Sequence, residues 1–115
     1  MTVTGSCHCG NVGYMIDGPA PSAAVTCNCS MCRRKGSLLH FVPAEAVTVT
    51  GRESLTGYTF NTHKIRHQFC ATCGVAPFSE GTAPDGRAMV ALNLRCADAL
   101  DLDSLEISHF DGAAL

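Results

Sequence analysis

The sequence predicts a mainly β fold of short antiparallel strands, and three observations carry that expectation. Residues that are β-branched or aromatic gather in short runs, turns bearing Gly or Pro separate the runs, and no segment repeats its apolar residues with a long helical period. In chain order the runs lie at 12–16, 38–42, 47–50, 55–60, 64–69, 89–94 and 105–110. Turn signals follow or divide them at Asp17-Gly18-Pro19, Thr50-Gly51, Pro84-Asp85-Gly86 and Asp111-Gly112. In the sixth run the alternation puts Val90, Leu92 and Leu94 on one face and Met89, Ala91 and Asn93 on the other. Single helical turns are expected at most at 30–35 and 43–46, which disfavours a helical bundle or a doubly wound α/β sheet.

At 115 residues the chain is expected to form one domain over 1–115, without repeats, low-complexity segments or a linker. With 46% hydrophobic and 16% charged residues, it should fold around a core and not remain disordered. Eight basic residues against ten acidic ones leave a net charge of -2, so neither nucleic acid nor an anionic membrane is an expected partner. No stretch approaches the roughly 20 apolar residues of a membrane span. Residues 1–10 lack the basic and apolar regions of a signal peptide, so the cytoplasm is the expected compartment.

In a reducing compartment, 8 cysteines point to metal ligands or reactive thiols and not to disulfides. Seven are clustered: Cys7 and Cys9; Cys27, Cys29 and Cys32; Cys70 and Cys73. In Cys7-His8-Cys9-Gly10 and Cys70-Ala71-Thr72-Cys73-Gly74, a Gly directly after the second thiol permits a tight turn that aims both sulfurs at one point. Cys7, Cys9, Cys70 and Cys73 are therefore expected to close a structural four-thiolate zinc site. Iron also suits tetrahedral sulfur, but zinc is the expected ion. Closing a loop of roughly 60 residues corresponds to about 4 kcal/mol of chain entropy. Structural zinc adds about 10 kcal/mol or more.

Cys27, Cys29 and Cys32 are a different case, because three thiolates from one short segment leave a fourth tetrahedral position open. Three thiolates on a divalent ion keep a net negative charge, making it a weak Lewis acid suited to a soft sulfur ligand. A thiol bound there would be deprotonated and concentrated against a small aldehyde. The three cysteines are thus the candidate catalytic residues. Arg33, Arg34 and Lys35 follow at once, either to meet the carboxylates of an acidic thiol or to form a solvated basic face.

Cys7-His8-Cys9-Gly10, Cys27-Asn28-Cys29-Ser30-Met31-Cys32-Arg33-Arg34-Lys35-Gly36-Ser37 and Phe69-Cys70-Ala71-Thr72-Cys73-Gly74 resemble, in this order, the glutathione-dependent formaldehyde-activating enzyme family, which shares a domain with centromere protein V. Pro84-Asp85-Gly86, Asn93-Leu94-Arg95-Cys96 and Phe110-Asp111-Gly112 extend the likeness over nearly the whole chain. The resemblance implies an antiparallel β-tent with zinc knuckles and two zinc ions, one structural and one catalytic. It also implies S-(hydroxymethyl)glutathione synthase chemistry of the carbon–sulfur lyase class, with glutathione and formaldehyde as partners. The alternative is a zinc-stabilised protein that carries glutathione or another small thiol without catalysis, since fold transfers better than substrate.

The remaining candidates have simpler readings. Cys96 is expected to be a small buried hydrophobe, the other possibility being a fourth ligand to the middle cluster. Cys29-Ser30-Met31-Cys32 lacks the βαβ surroundings of a redox C-x-x-C. His8, His40, His63 and His109 show no metal-pair spacing, while His67 is the best placed for proton transfer and is otherwise a packing residue. Arg66 and Arg95 would bind an anion or pair with surface acids.

Overall fold

The computed structural model describes residues 2–114. Among them, ten strands form two sheets. The smaller contains β1 (Thr2–Ser6), β2 (Gly13–Asp17) and β5 (Val47–Thr50), all antiparallel, in the order β1-β2-β5. The larger contains β3 (Ala23–Cys27), β4 (Leu39–Pro43), β6 (Leu55–Tyr58), β7 (Arg66–Cys70), β8 (Phe78–Thr82), β9 (Ala88–Asn93) and β10 (Glu106–Phe110). Their order is β10-β3-β4-β9-β8-β7-β6. One short helix, α1 (Ser30–Lys35), lies between β3 and β4. No helix among the described residues is long and apolar enough to cross a membrane.

Alternation explains why the sheets face each other. In β2 the side chains of Tyr14 and Ile16 are buried while Met15 and Asp17 are exposed, and in β1 Val3 points the same way as Tyr14. These residues pack with Val12, Phe78, Val90, Leu92 and Cys96 in the main core. Each fully buried Leu, Val or Phe contributes about 1.5–3 kcal/mol. The Tyr14 hydroxyl donates to the Asn93 carbonyl at 2.9 Å, joining the smaller sheet to the end of β9. Burial pushes its pKa far above the ordinary range, so it remains a neutral donor. A second core cluster of Ala24, Leu38, Leu94 and Leu105 lies near β3 and the chain entering β10.

The mainly β expectation holds, and the helical segment expected at 30–35 is α1, whereas 43–46 narrows to a 3-10 turn at Ala44–Ala46. All seven expected strand runs contain a strand, with ends shifted by up to two residues. Three further strands, β1, β3 and β8, were not anticipated from the sequence. Their segments TVTGS, AAVTC and FSEGT mix small, glycyl and charged residues, and long-range pairing supplies what local propensity lacks. The larger sheet is also mixed rather than purely antiparallel: β10 runs parallel to β3, with Phe110 opposite Cys27. Leu94 leaves the expected alternation for a 3-10 turn at Leu94–Cys96, and Ala91 and Asn93 are buried as well, so the end of β9 is covered on both faces.

Candidate metal centres

The turn between β1 and β2 carries Cys7 and Cys9, while Cys70 ends β7 and Cys73 lies in the turn that follows. Both turns close in the same way. Gly10 N donates to Cys7 O at 3.2 Å and Gly74 N donates to Cys70 O at 2.9 Å. Their φ angles are +84° and +81°, and an added Cβ would meet nothing within 4 Å, so it is backbone conformation and not space that selects glycine. The four sulfurs converge, with Cys7 Sγ 3.7 Å from Cys9 Sγ and Cys9 Sγ 3.6 Å from Cys70 Sγ. Zinc–sulfur bonds of about 2.3 Å at a tetrahedral angle would separate sulfurs by about 3.8 Å. The donor set therefore fits one tetrahedral ion. Val12 N and Thr72 N donate to Cys7 Sγ at 3.3 Å and Cys70 Sγ at 3.4 Å, stabilising negative sulfur.

The second group comprises Cys27 at the end of β3, Cys29 as the N-cap of α1 and Cys32 in its first turn. Their sulfurs all lie within 4.8 Å of one another, and among the described residues no other Cys, His, Asp or Glu joins them. Cys29 N donates to Cys27 Sγ at 3.5 Å and Cys32 N to Cys29 Sγ at 3.3 Å, so the chain that supplies the thiols also supplies donors to them. The helix ends at Gly36, whose N–H returns to Cys32 O at 3.0 Å. All three cysteines are half-buried, whereas Cys7 and Cys70 are buried in the main core.

Proton affinities in both groups show what crowded thiols do without a cation. Backbone N–H groups of Cys9 and Val75 pull Cys73 down to about 6. Cys9 is held up at about 11: the Asn11 N–H opposes the rise, but desolvation and the thiols of Cys70, Cys7 and Cys73 outweigh it. In the second group, burial and then the neighbouring Cys29 and Cys27 push Cys32 up to about 12. Cys29 is lowered although burial opposes this, because the Cys32 and Met31 N–H groups and the thiols of Cys32 and Cys27 stabilise its thiolate. Thiolates so close repel, so each group keeps protons unless a cation neutralises it. Soft, convergent thiols suit zinc.

Beside α1 is a cavity of about 300 Å³ lined by residues that include Met31, Lys35, Tyr58, His67, Gln68 and Gly74. Lys35 Nζ lies 3.3 Å from His67 Nδ1, and the His67 ring stacks on Phe60 at 5.5 Å between centroids. Burial lowers both pKa values, and the Lys35 charge lowers that of His67 further. An ammonium can only donate, so the neutral imidazole accepts at Nδ1 and carries its proton on Nε2. A shallower cavity lined by Ser30, Met31, Arg34, Tyr58 and Phe60 accompanies it.

Of the three basic residues, Lys35 lines the cavity beside His67, Arg34 donates to Ser30 O at 2.9 Å and lines the shallower cavity, and Arg33 is exposed. Cys96 is buried among Cys7, Val12 and Tyr14 and stands outside both thiol groups. Arg95 donates to Gly36 O at 2.9 Å, and Arg66 lies across Gly57. His8 is exposed, His40 is half-buried with its pKa lowered by burial, and His63 and His109 contact Thr59 and Thr26, each at 2.8 Å. Tyr58, Phe60 and the pairing of Lys35 with His67 were not anticipated as neighbours of the site. The alternation of Tyr58 and Phe60 is the one local hint of them.

The sequence profile of the glutathione-dependent formaldehyde-activating enzyme family matches residues 2–106, a span that includes all seven clustered cysteines. A crystal structure of a Rhodobacter sphaeroides protein, a structural-genomics target, is similar in fold with a TM-score of 0.76. The two share 26% sequence identity over 91% of this chain and 99% of the other.

Proposed function

The chain belongs to the glutathione-dependent formaldehyde-activating enzyme family, and from that premise we propose that it adds glutathione to formaldehyde at a zinc ion held by Cys27, Cys29 and Cys32. Membership implies glutathione-dependent activation of formaldehyde; the residue roles and the carbon–sulfur lyase assignment are the proposal. Residues 1–115 would act as one zinc-binding domain, with a second, structural ion held by Cys7, Cys9, Cys70 and Cys73. A reducing compartment such as the cytoplasm would keep these thiols available.

The observation that carries the reading is the three-sulfur group with no fourth protein ligand among the described residues, at the start of a helix whose Met31 and Lys35 line a cavity with His67. Zinc there would supply a soft Lewis acid that favours a thiol in its thiolate form. Lys35, with Arg34 at the neighbouring cavity, provides cationic donors for the carboxylates of glutathione. Apolar Met31 and the Tyr58 and Phe60 rings limit water around the peptide. As the sulfur forms the new carbon–sulfur bond, the carbonyl π pair moves to oxygen, which takes one proton while the thiol has lost one. His67 would pass its Nε2 proton to that oxygen as its Nδ1 takes one from the Lys35 ammonium, and the proton released by the thiol would restore the ammonium. The reverse reaction breaks the same carbon–sulfur bond.

The test is the rate of S-(hydroxymethyl)glutathione formation, followed by NMR, with and without catalytic amounts of zinc-loaded protein. Acceleration, together with two zinc ions counted by native mass spectrometry, is the expected result. Stoichiometric glutathione binding with no acceleration would make the protein a carrier, and a single zinc ion per chain would remove the basis of the reading.

A further inference from the structure

The seven clustered cysteines lie inside the span matched to the family, but the chain beyond residue 106 reaches back onto two of them, Cys27 and Cys29. β10 runs beside β3 with Phe110 opposite Cys27, and Asn28 N donates to Phe110 O at 3.3 Å. Asn28 sits between Cys27 and Cys29, yet among the described residues its side chain bonds only to the C-terminal segment. Its Nδ2 donates to Asp111 Oδ1 at 2.9 Å, and its Oδ1 accepts from Ala113 N at 2.9 Å. A carboxylate can only accept and a backbone N–H can only donate, so the amide orientation is fixed. Between those anchors lies Gly112, where an added Cβ would stand 2.5 Å from Cys27 Sγ and 3.3 Å from Cys29 Cβ. No side chain fits there without displacing a sulfur.

We propose that the strap formed by Asn28, Asp111 and Gly112 positions the three-cysteine centre. It holds Cys27 Sγ in the group by packing the Gly112 backbone against Cys27 and Cys29. Asn28, Asp111 and Gly112 are positioning residues: they act on the ion through Cys27 and Cys29, as outer groups orient metal ligands elsewhere. The proposal rests on the reading that Cys27, Cys29 and Cys32 hold an ion.

The test compares the full chain with Gly112→Ala, with Asn28→Asp and with the Asn28→Asp/Asp111→Asn pair. Metal is counted by native mass spectrometry against a competing chelator, and the sulfur-to-cobalt absorption is read after cobalt(II) substitution. Both single variants should keep the four-thiol ion and a wild-type melt while binding the second ion about 10–100-fold more weakly. Asn28→Asp loses the Nδ2 donor and sets two carboxylates against each other. The exchanged pair restores one donor and one acceptor, because the carboxylate at 28 accepts from the new amide and from Ala113 N–H, and most of the affinity should return. Unchanged second-site affinity in both single variants, or weakening that the exchanged pair leaves unrepaired, overturns the strap. A wild-type chain that takes up one ion overturns the reading of the three-cysteine group instead.

Discussion

The two thiol groups contain the same ligand chemistry and differ in how the chain delivers it. The four-cysteine group draws on a turn of the smaller sheet and on a turn of the larger one, so a single ion there would bind the two sheets to each other. Cys7 and Cys70 are part of the main core. The three-cysteine group comes from one segment at the end of β3 and the start of α1 and is half-buried, and Met31 and Lys35 of that helix line a cavity. Ligands distant in sequence couple metal binding to the whole fold, whereas ligands from one segment would tie an ion to that segment alone.

The largest expected effect sets these roles against each other. Cys70→Ser should abolish the cooperative thermal transition, because structural zinc supplies about 10 kcal/mol or more against a total stability of about 5–15 kcal/mol. Cys32→Ser should instead remove one ion and the acceleration of glutathione addition, while changing stability by less than about 1 kcal/mol. Equal loss of structure in both, read by circular dichroism and calorimetry, would break the comparison.

A smaller effect sharpens the open side. Lys35→Met should raise the KM for glutathione by about 10- to 100-fold, as expected for loss of about 1.5–3 kcal/mol from a charged hydrogen bond. Steady-state kinetics should show that rise in KM with the metal content intact, together with a smaller fall in kcat, because the ammonium that fixes the His67 tautomer is gone. A fall in kcat with KM unaltered would assign Lys35 to the chemical step and not to binding.

The smallest effect is a pH dependence. The folded state lowers the His67 pKa through burial and the Lys35 charge, so the unfolded chain binds the proton more tightly. Stability from neutral His67 is therefore complete above the ordinary value of about 6.5 and is lost as pH falls through it toward the lowered folded value. His40 shifts in the same direction, so the difference between wild-type and His67→Gln melting curves isolates the His67 part. On acidification wild type should lose stability relative to His67→Gln, because the variant lacks the titrating ring; a pH-independent difference would mean that the imidazole does not titrate in this window.

Legibility in the sequence followed the distance between partners. Both knuckles could be read because each is a local event: two thiols, one turn and a glycine whose φ is positive in the structure. The grouping of Cys27, Cys29 and Cys32 was legible for the same reason, as was the short helix that carries Cys32. The strands that escaped, β1, β3 and β8, have weak local propensity and depend on partners elsewhere. β3 owes its place to β4 on one side and to the parallel β10 on the other.

The sequence by itself determined the mainly β class, the division of seven cysteines into knuckles and a middle group, and the basic residues that follow that group. Only the tertiary structure decided that the knuckles meet across two sheets, that Lys35 reaches His67, and that Asn28 turns toward Asp111. The physical reason is that spacing and turn preference fix what neighbouring residues can do, whereas contacts between distant segments arise when burial of a shared core brings strands into register.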